Sequence, residues 1–195
     1  MKKLSSVLMI AITVLAFQAC NNGAKDSKAD ADSINAAKDT STKIAPTGQI
    51  AVDKDDAKFV VTAANDGMAE VDAGKIAEEK AHSSGIKKFA AMMVADHSKA
   101  GDELAAIAKI KNIALPLAPD ADAQKMADKL AKDQRKDFDK DYVNMMVDGH
   151  EKAVKLFTDA SQNLKDPDLK AFVIKTLPTL KMHLESIKAI KANMK

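Results

Sequence analysis

Four side chains that commonly bind metal ions lie near the middle of four amphipathic segments of this sequence. They are Glu70, His97, His150 and His183. On a helix that turns about 100° per residue, Glu70 and His97 fall in the centre of an apolar stripe, whereas His150 and His183 fall at the edge of one. Burying an unpaired polar group costs free energy, so these side chains need partners. The pattern therefore predicts a polar site inside a helical protein.

Two kinds of site satisfy such residues. In the first, the carboxylate and the imidazoles form a hydrogen-bonded network with a purely structural role. In the second they bind a metal ion, and three imidazoles with one carboxylate suit iron, zinc, manganese or copper. Met93, Met146 and Met182 adjoin the histidines, and a His/Met set would suit Cu(I). Methionine at helical spacing is, however, more often plain core filler.

For other polar residues near the four candidates, the sequence gives less support for a place in the predicted polar site. Asp66 lies one turn before Glu70, near the edge of the stripe, and is a candidate partner of a histidine. The helical angle of Asp96 points it sideways, and His82 is expected to be solvated in a turn. The sequence has no Gly-x-Ser-x-Gly elbow, phosphate loop or CxxC pair, so no reaction can be assigned to it.

Helical periodicity from residue 54 onward supplies the elements that position these residues. Ala, Leu and Lys are abundant, and the chain holds only 7 Gly and 5 Pro, which is a helical composition. We expect an all-α protein with four long helices joined mostly by short turns, which is typical of an antiparallel four-helix bundle. The long helices are predicted at about 54–81, 86–111, 136–163 and 166–192, and a short extra helix at about 120–132 lies in the second connection.

The spacing of the four candidates places them at one height in such a bundle. Glu70 and His97 lie equally far from the turn at residues 83–84. His150 and His183 lie at nearly equal distances from the turn at Lys165. If the second and third long helices are antiparallel neighbours, His97 and His150 also share a height. We therefore predict that the four side chains converge at the middle of the bundle.

The start of the chain resembles a bacterial lipoprotein signal. "MKKLSSVLMIAITVLAFQAC" has a basic start, an apolar run too short for a comfortable membrane span, and small residues before Cys20. Phe17 stands where such signals usually have Leu. Cys20 is the only cysteine, and lipidation would explain a lone cysteine in an exported protein. We expect residues 1–19 to be a signal peptide and Cys20 to carry the lipid.

The predicted domain organisation follows from these features. Residues 20–53 are polar and hold few large apolar side chains, so we expect the lipidated cysteine to be followed by a flexible tether, with the bundle at 54–195. Loss of Lys2 and Lys3 with the signal takes the formal charge from +2 to 0. A neutral chain with interspersed charges argues against a nucleic-acid partner. The expected location is the cell envelope, on a bacterial membrane (the outer one, facing the periplasm or the surface).

Four blocks of the sequence resemble the bacterial domain of unknown function 4142. They are "FVVTAANDGMAEVDAGKIAEEKA", "IKKFAAMMVADHSKAGDEL", "FDKDYVNMMVDGHEKAVKLF" and "LKAFVIKTLPTLKMHLE", and the resemblance covers about residues 55–190. It implies a ferritin-like four-helix bundle of the kind found on exported or lipid-anchored proteins. The inward Glu of the family pattern falls on Glu70, its Asp-His on Asp96 and His97, and its two later histidines on His150 and His183.

The chain departs from true ferritins at one motif. A di-iron bundle uses Glu-x-x-His on two helices, but Val94, Val147 and Leu180 stand three residues before the three histidines. The resemblance therefore implies the fold and not ferroxidase activity.

Three functions remain open from the sequence. The first is a lipid-anchored envelope protein that binds a metal ion through Glu70, His97, His150 and His183. The second is a non-catalytic envelope protein whose bundle surface binds a partner, with a purely structural His/Glu network. The third is a metal-dependent redox enzyme, for which the sequence offers the least support.

Replacing the predicted lipid acceptor tests the anchor. Cys20→Ser should move the protein from the membrane fraction to the soluble fraction, because a neutral domain on a polar tether has no other means of attachment. Fractionation and immunoblotting of cells that express either form measure this. A Ser variant that stays with the membrane after its signal is removed would disprove the lipoprotein assignment.

Overall fold

The computed structural model of the protein describes residues 26–38, 52–133 and 137–194, and all the regular secondary structure in these ranges is helical. The helices are α1 (Ser27–Lys38), α2 (Lys54–Lys80), α3 (Ser84–Ile110), α4 (Ala121–Lys132), α5 (Phe138–Asn163) and α6 (Pro167–Ala192). The predicted all-α class and the extra helix in the connection before α5 are confirmed. None of the described helices combines the length and apolar composition needed to cross a membrane.

Helices α2, α3, α5 and α6 form the bundle. Helix α2 packs on α3 and α5, and α6 packs on the same two helices from the opposite corner. The Asp139 carboxylate at the start of α5 accepts hydrogen bonds from the backbone N–H groups of His82 and Ser83, in the α2–α3 turn. At the other end, Asp56 of α2 accepts from the N–H groups of Lys165 and Asp166. Adjacent helices are thus antiparallel.

The connection from α3 to α5 returns the chain along the bundle. Asn65 of α2 pairs with Asp120 at the start of α4, and Lys80 at the end of α2 donates to the Asp133 carbonyl at the end of α4. Helix α5 therefore begins at the same end of the bundle as α3. The two helices run parallel on a diagonal, so the condition under which their heights were compared, that they are antiparallel neighbours, does not hold. His97 and His150 still share a height, because each lies near the middle of its helix.

Helix α1 lies inside the segment that the sequence predicts to be a flexible tether, and this part of the prediction is wrong. Asn35 both donates to the carbonyl of Ala114 and accepts from its N–H, while the Ser27 hydroxyl accepts from Leu117 N–H. The helix is held largely by polar contacts to the α3–α4 connection, which hydrophobic periodicity does not reveal. Residues 1–25, which include the predicted signal peptide and Cys20, and residues 39–51 of the predicted tether lie outside the described residues.

Two apolar clusters divide the core of the bundle. The first surrounds Phe59, Phe157, Phe172 and Leu180, near the α5–α6 turn, and the second surrounds Ile86, Phe89, Met93, Tyr142 and Ile187, near the α2–α3 turn. On α2 the buried Asn65 pairs with Asp120 at the start of α4. Near the middle of each of the four long helices, a further buried polar residue lies between the part in the first cluster and the part in the second. These residues are Glu70, His97, His150 and His183, so the fold contains a single polar layer between two apolar clusters.

Candidate metal centre

Three imidazole rings form a nearly equilateral triangle in the polar layer. The ring centroids of His97, His150 and His183 are 5.4–5.5 Å apart. His150 and His183 are 0% and 1% exposed, and His97 and Glu70 are 8% and 7% exposed. The predicted convergence of the four side chains is therefore observed. His150 and His183, which the helical angles place at stripe edges, are the most deeply buried of the four. Their helices, α5 and α6, pack directly against each other, so the edges of both stripes are covered.

Glu70 contacts two of the histidines at their Nδ1 atoms. Its Oε2 lies 3.0 Å from Nδ1 of His97, and its Oε1 lies 3.3 Å from Nδ1 of His150. The same His150 nitrogen lies 2.9 Å from the carbonyl oxygen of Met146. A carbonyl oxygen only accepts, so in the neutral His150 ring the proton is on Nδ1 and Nε2 carries a lone pair. Gly149 makes room for the carboxylate, since a Cβ there would lie 3.3 Å from Glu70 Oε1.

Asp96 holds the third histidine. Its Oδ2 lies 2.9 Å from Nε2 of His183, while its own side chain is 40% exposed. Asp96 does point to the side of α3, as its helical angle predicts. In the bundle, α6 packs against that side and brings His183 to Asp96. Which helix lies beside α3 is a property of the bundle topology, and for this reason the sequence did not identify the pair. Asp66, the other candidate partner of a histidine, instead accepts a hydrogen bond from Asn65.

Each histidine of the triangle has a second ring nitrogen with no hydrogen-bond partner among the residues that the structure describes. These buried atoms are Nε2 of His97, Nε2 of His150 and Nδ1 of His183. More than nine in ten buried polar groups in proteins are hydrogen-bonded, so three unpaired nitrogens in one cluster need an explanation. One ring nitrogen from each histidine lies within 4.8 Å of the other two. The three rings are thus close enough for modest ring movements to bring one nitrogen of each onto a common ion, while their other nitrogens are already held.

The charge state of the cluster suits cation binding. Burial lowers the pKa of His97 to about 3 and that of His150 to about 4, and it also lowers the pKa of His183, against the opposing effect of Asp96. The three rings are therefore neutral at pH 7, which is the form that binds metals. Burial raises the pKa of Glu70 to about 8, with a smaller contribution from Asp66. A cation in the layer would favour the ionised form of this carboxyl.

The remaining residues of interest lie outside the triangle. Met93 and Met146 are buried in the second apolar cluster, as expected of core filler, whereas Met182 is partly exposed. The Phe89 ring lies 6.3 Å from the His150 ring and 6.5 Å from the His183 ring, so one side of the triangle faces an aromatic surface. His82 is exposed in the α2–α3 turn, as predicted, with 70% of its side chain accessible.

Solved structures share this fold at low sequence identity. A crystal structure of a DUF305 fragment from Deinococcus radiodurans matches with a TM-score of 0.64 at 11% identity, over 73% of this chain and 99% of the fragment. CopM in its Cu(I)-bound form matches with a TM-score of 0.59 at 21% identity, over 71% of this chain and 96% of CopM. CopM in its Cu(II)-bound form matches with a TM-score of 0.59 at 18% identity, over 72% of this chain and 98% of CopM.

Sequence comparison identifies the family and no individual relative. No curated protein matches the chain. The family described as domain of unknown function DUF4142 matches residues 40–190, which include all of α2 to α5 and nearly all of α6. The resemblance inferred from the four sequence blocks is therefore confirmed, and the chain belongs to the DUF4142 family.

Proposed function

We propose that this protein binds one transition-metal ion through His97, His150 and His183. The observation that carries the proposal is the set of three buried, unpaired ring nitrogens, one on each histidine. One ring nitrogen of each histidine lies within 4.8 Å of the others. Bonds of about 2.0–2.1 Å to a common ion would need each nitrogen to move inward by less than about 1 Å, which small ring rotations supply. A purely structural network would leave these nitrogens without partners.

In this proposal Glu70 acts outside the ligand set. The sequence placed Glu70 among the ligands, but its oxygens contact Nδ1 of His97 and of His150, which are not the nitrogens that lack partners. Glu70, Asp96 and the Met146 carbonyl each fix one ring and raise the electron density on its free nitrogen. Such outer partners typically change metal affinity by about 10–100-fold when they are removed.

The ligand chemistry favours copper or zinc over iron or manganese. Imidazole nitrogens suit copper and zinc, whereas manganese prefers oxygen ligands and non-haem iron sites usually include a carboxylate. The shared fold with CopM, which is known in Cu(I)- and Cu(II)-bound forms, supports testing copper first. A three-histidine set leaves room for a further ligand at the ion, but nothing in the cluster identifies a substrate, and we propose binding rather than catalysis.

We also propose that the metal-binding domain is held at the cell envelope by a lipid on Cys20. The support is the signal-like start of the chain and its single cysteine. An ion site on an exported domain would act outside the cytoplasm, where it could capture or buffer metal ions.

Metal titration with matched variants tests the ligand assignment. Untagged protein of residues 21–195 should bind one Cu(I) or one Zn²⁺ per chain and melt at a higher temperature when loaded, because a ligand of the folded state alone stabilises that state. His97→Ala, His150→Ala and His183→Ala should each lose most of this binding. Asp96→Asn should weaken it about 10–100-fold. Calorimetry against a competing chelator and melting curves measure both effects.

The fourth histidine provides the control. His82→Ala removes an exposed imidazole from the α2–α3 turn and should leave both stoichiometry and stabilisation unchanged. Equal binding by wild type and the three triangle variants, or no binding by wild type, would contradict the proposal and favour the structural network.

The stability of the metal-free protein should have a maximum near pH 6.5. The pKa values of the three histidines are lower in the folded state than the usual 6.5, so the unfolded chain binds more protons and stability falls as the pH drops from 6.5 to 5. The pKa of Glu70 is raised to about 8, so the folded state holds the extra proton and stability falls as the pH rises from 6.5 to 8. Each group contributes at most about 1.4 kcal/mol per pH unit.

Urea denaturation in the presence of a chelator at pH 5, 6.5 and 8 measures this profile. Glu70→Gln should remove the decline on the alkaline side, whereas Glu79→Gln, exposed on the same helix, should not. A free energy of unfolding that stays constant or rises between pH 6.5 and 5 would show that the histidines are not buried in their neutral form.

A further inference from the structure

A cleft of about 600 Å³ lies beside the histidine layer, on the side of the first apolar cluster. Buried side chains form its inner wall, among them Leu104, Phe157, Phe172 and Leu180. The connection at residues 115–119 forms part of its outer wall, and Glu70 and His97 line its end. The volume falls within the range of small-molecule sites, which are typically apolar with a few polar groups. A compact, largely apolar molecule therefore fits the cleft.

Small residues on α2 and α3 create this space. A Cβ added to Gly67 or Gly101, which both line the cleft, would meet no other atom within 4 Å. Further along the same pair of helices, a Cβ at Gly74 would lie 2.9 Å from Val94 and 3.2 Å from the Ala90 carbonyl oxygen. The two helices are thus in close contact at Gly74 and leave a gap at Gly67. The gap at Gly67 therefore opens the cleft between the two helices to a size that admits a small molecule.

The polar lining of the cleft is mainly acidic. Asp66, Glu70, Asp72 and Asp102 line it, and Lys75 is the one cation among the lining residues described. Asp66 is partly buried, accepts a hydrogen bond from the Asn65 amide and forms no ion pair within the described part of the chain, although Lys28 and Lys152 attract its charge more weakly than burial opposes it. Burial raises the pKa of the Asp66 carboxyl, which means that its charge is poorly solvated. A cationic group placed beside it would favour the ionised form.

We propose that the cleft binds a compact apolar molecule carrying one amine, with the amine at Asp66 and the apolar body against Leu104, Phe157 and Phe172. The acidic lining disfavours an apolar molecule with an anionic head. Of the proposed metal ligands, His97 lines the end of the cleft and His150 and His183 do not, and the amine site at Asp66 includes none of them. The proposal therefore does not depend on metal binding.

Calorimetry with three ligands of equal chain length tests this assignment. Metal-free protein of residues 21–195 should bind n-octylamine at least about tenfold more tightly than 1-octanol, and should not measurably bind octanoate. Gly67→Leu, which fills the cleft, should abolish octylamine binding. Asp66→Asn should weaken it about tenfold, since it removes one charge-assisted contact. Asp122→Asn, an exposed carboxylate on α4, should have no effect.

Two results would overturn the proposal. One is octylamine binding no tighter than octanol or octanoate, which would leave no role for Asp66. The other is unchanged octylamine binding by a folded Gly67→Leu protein. Leu is a better helix former than Gly, so this variant should keep its helical circular dichroism and its melting temperature. His183→Ala separates the two proposed sites, because it should lose metal binding and retain octylamine binding.

Discussion

Three buried imidazoles impose the constraint on which the rest of this structure depends. Each ring has two nitrogens, and a ring shielded from water must satisfy both. Glu70, Asp96 and the Met146 carbonyl provide a partner for one nitrogen of each ring, and the described part of the chain provides none for the other. A bound ion would satisfy all three remaining nitrogens at once. An ion at the centre would therefore stabilise the polar layer beyond what the protein's own contacts provide.

The bundle is arranged so that this layer can exist inside an apolar core. Every long helix contributes one polar side chain, at the point where it passes from one apolar cluster to the other. Glycine at position 149 leaves room for the Glu70 carboxylate, and the Phe89 ring closes one side of the triangle. The apolar surroundings keep the histidines neutral and thus able to bind a cation, at the cost of desolvating Glu70. The same four side chains therefore determine both how the layer packs and how it could bind a cation.

Much of this arrangement follows from the sequence. Helical periodicity and the distances to the turns were enough to place Glu70 and His97 at one height, in contact. They were not enough to pair Asp96 with His183, since that contact depends on α3 and α6 being neighbours. The parallel orientation of α3 and α5 likewise depends on the path of α4. The sequence did not predict helix α1, because Asn35 and Ser27 attach it through hydrogen bonds and such contacts produce no hydrophobic periodicity in the sequence.

In the proposed metal centre, three histidines and no other side chains hold an ion between the two apolar clusters. X-ray absorption spectroscopy of protein loaded with one Cu(I) per chain tests this most directly, because multiple scattering distinguishes imidazole from carboxylate and thioether ligands. The account predicts a shell of imidazole nitrogens with no sulfur and no carboxylate oxygen, and its loss in His150→Ala. A shell containing methionine sulfur or an oxygen of Glu70, or a spectrum that is unchanged in His150→Ala, would contradict it.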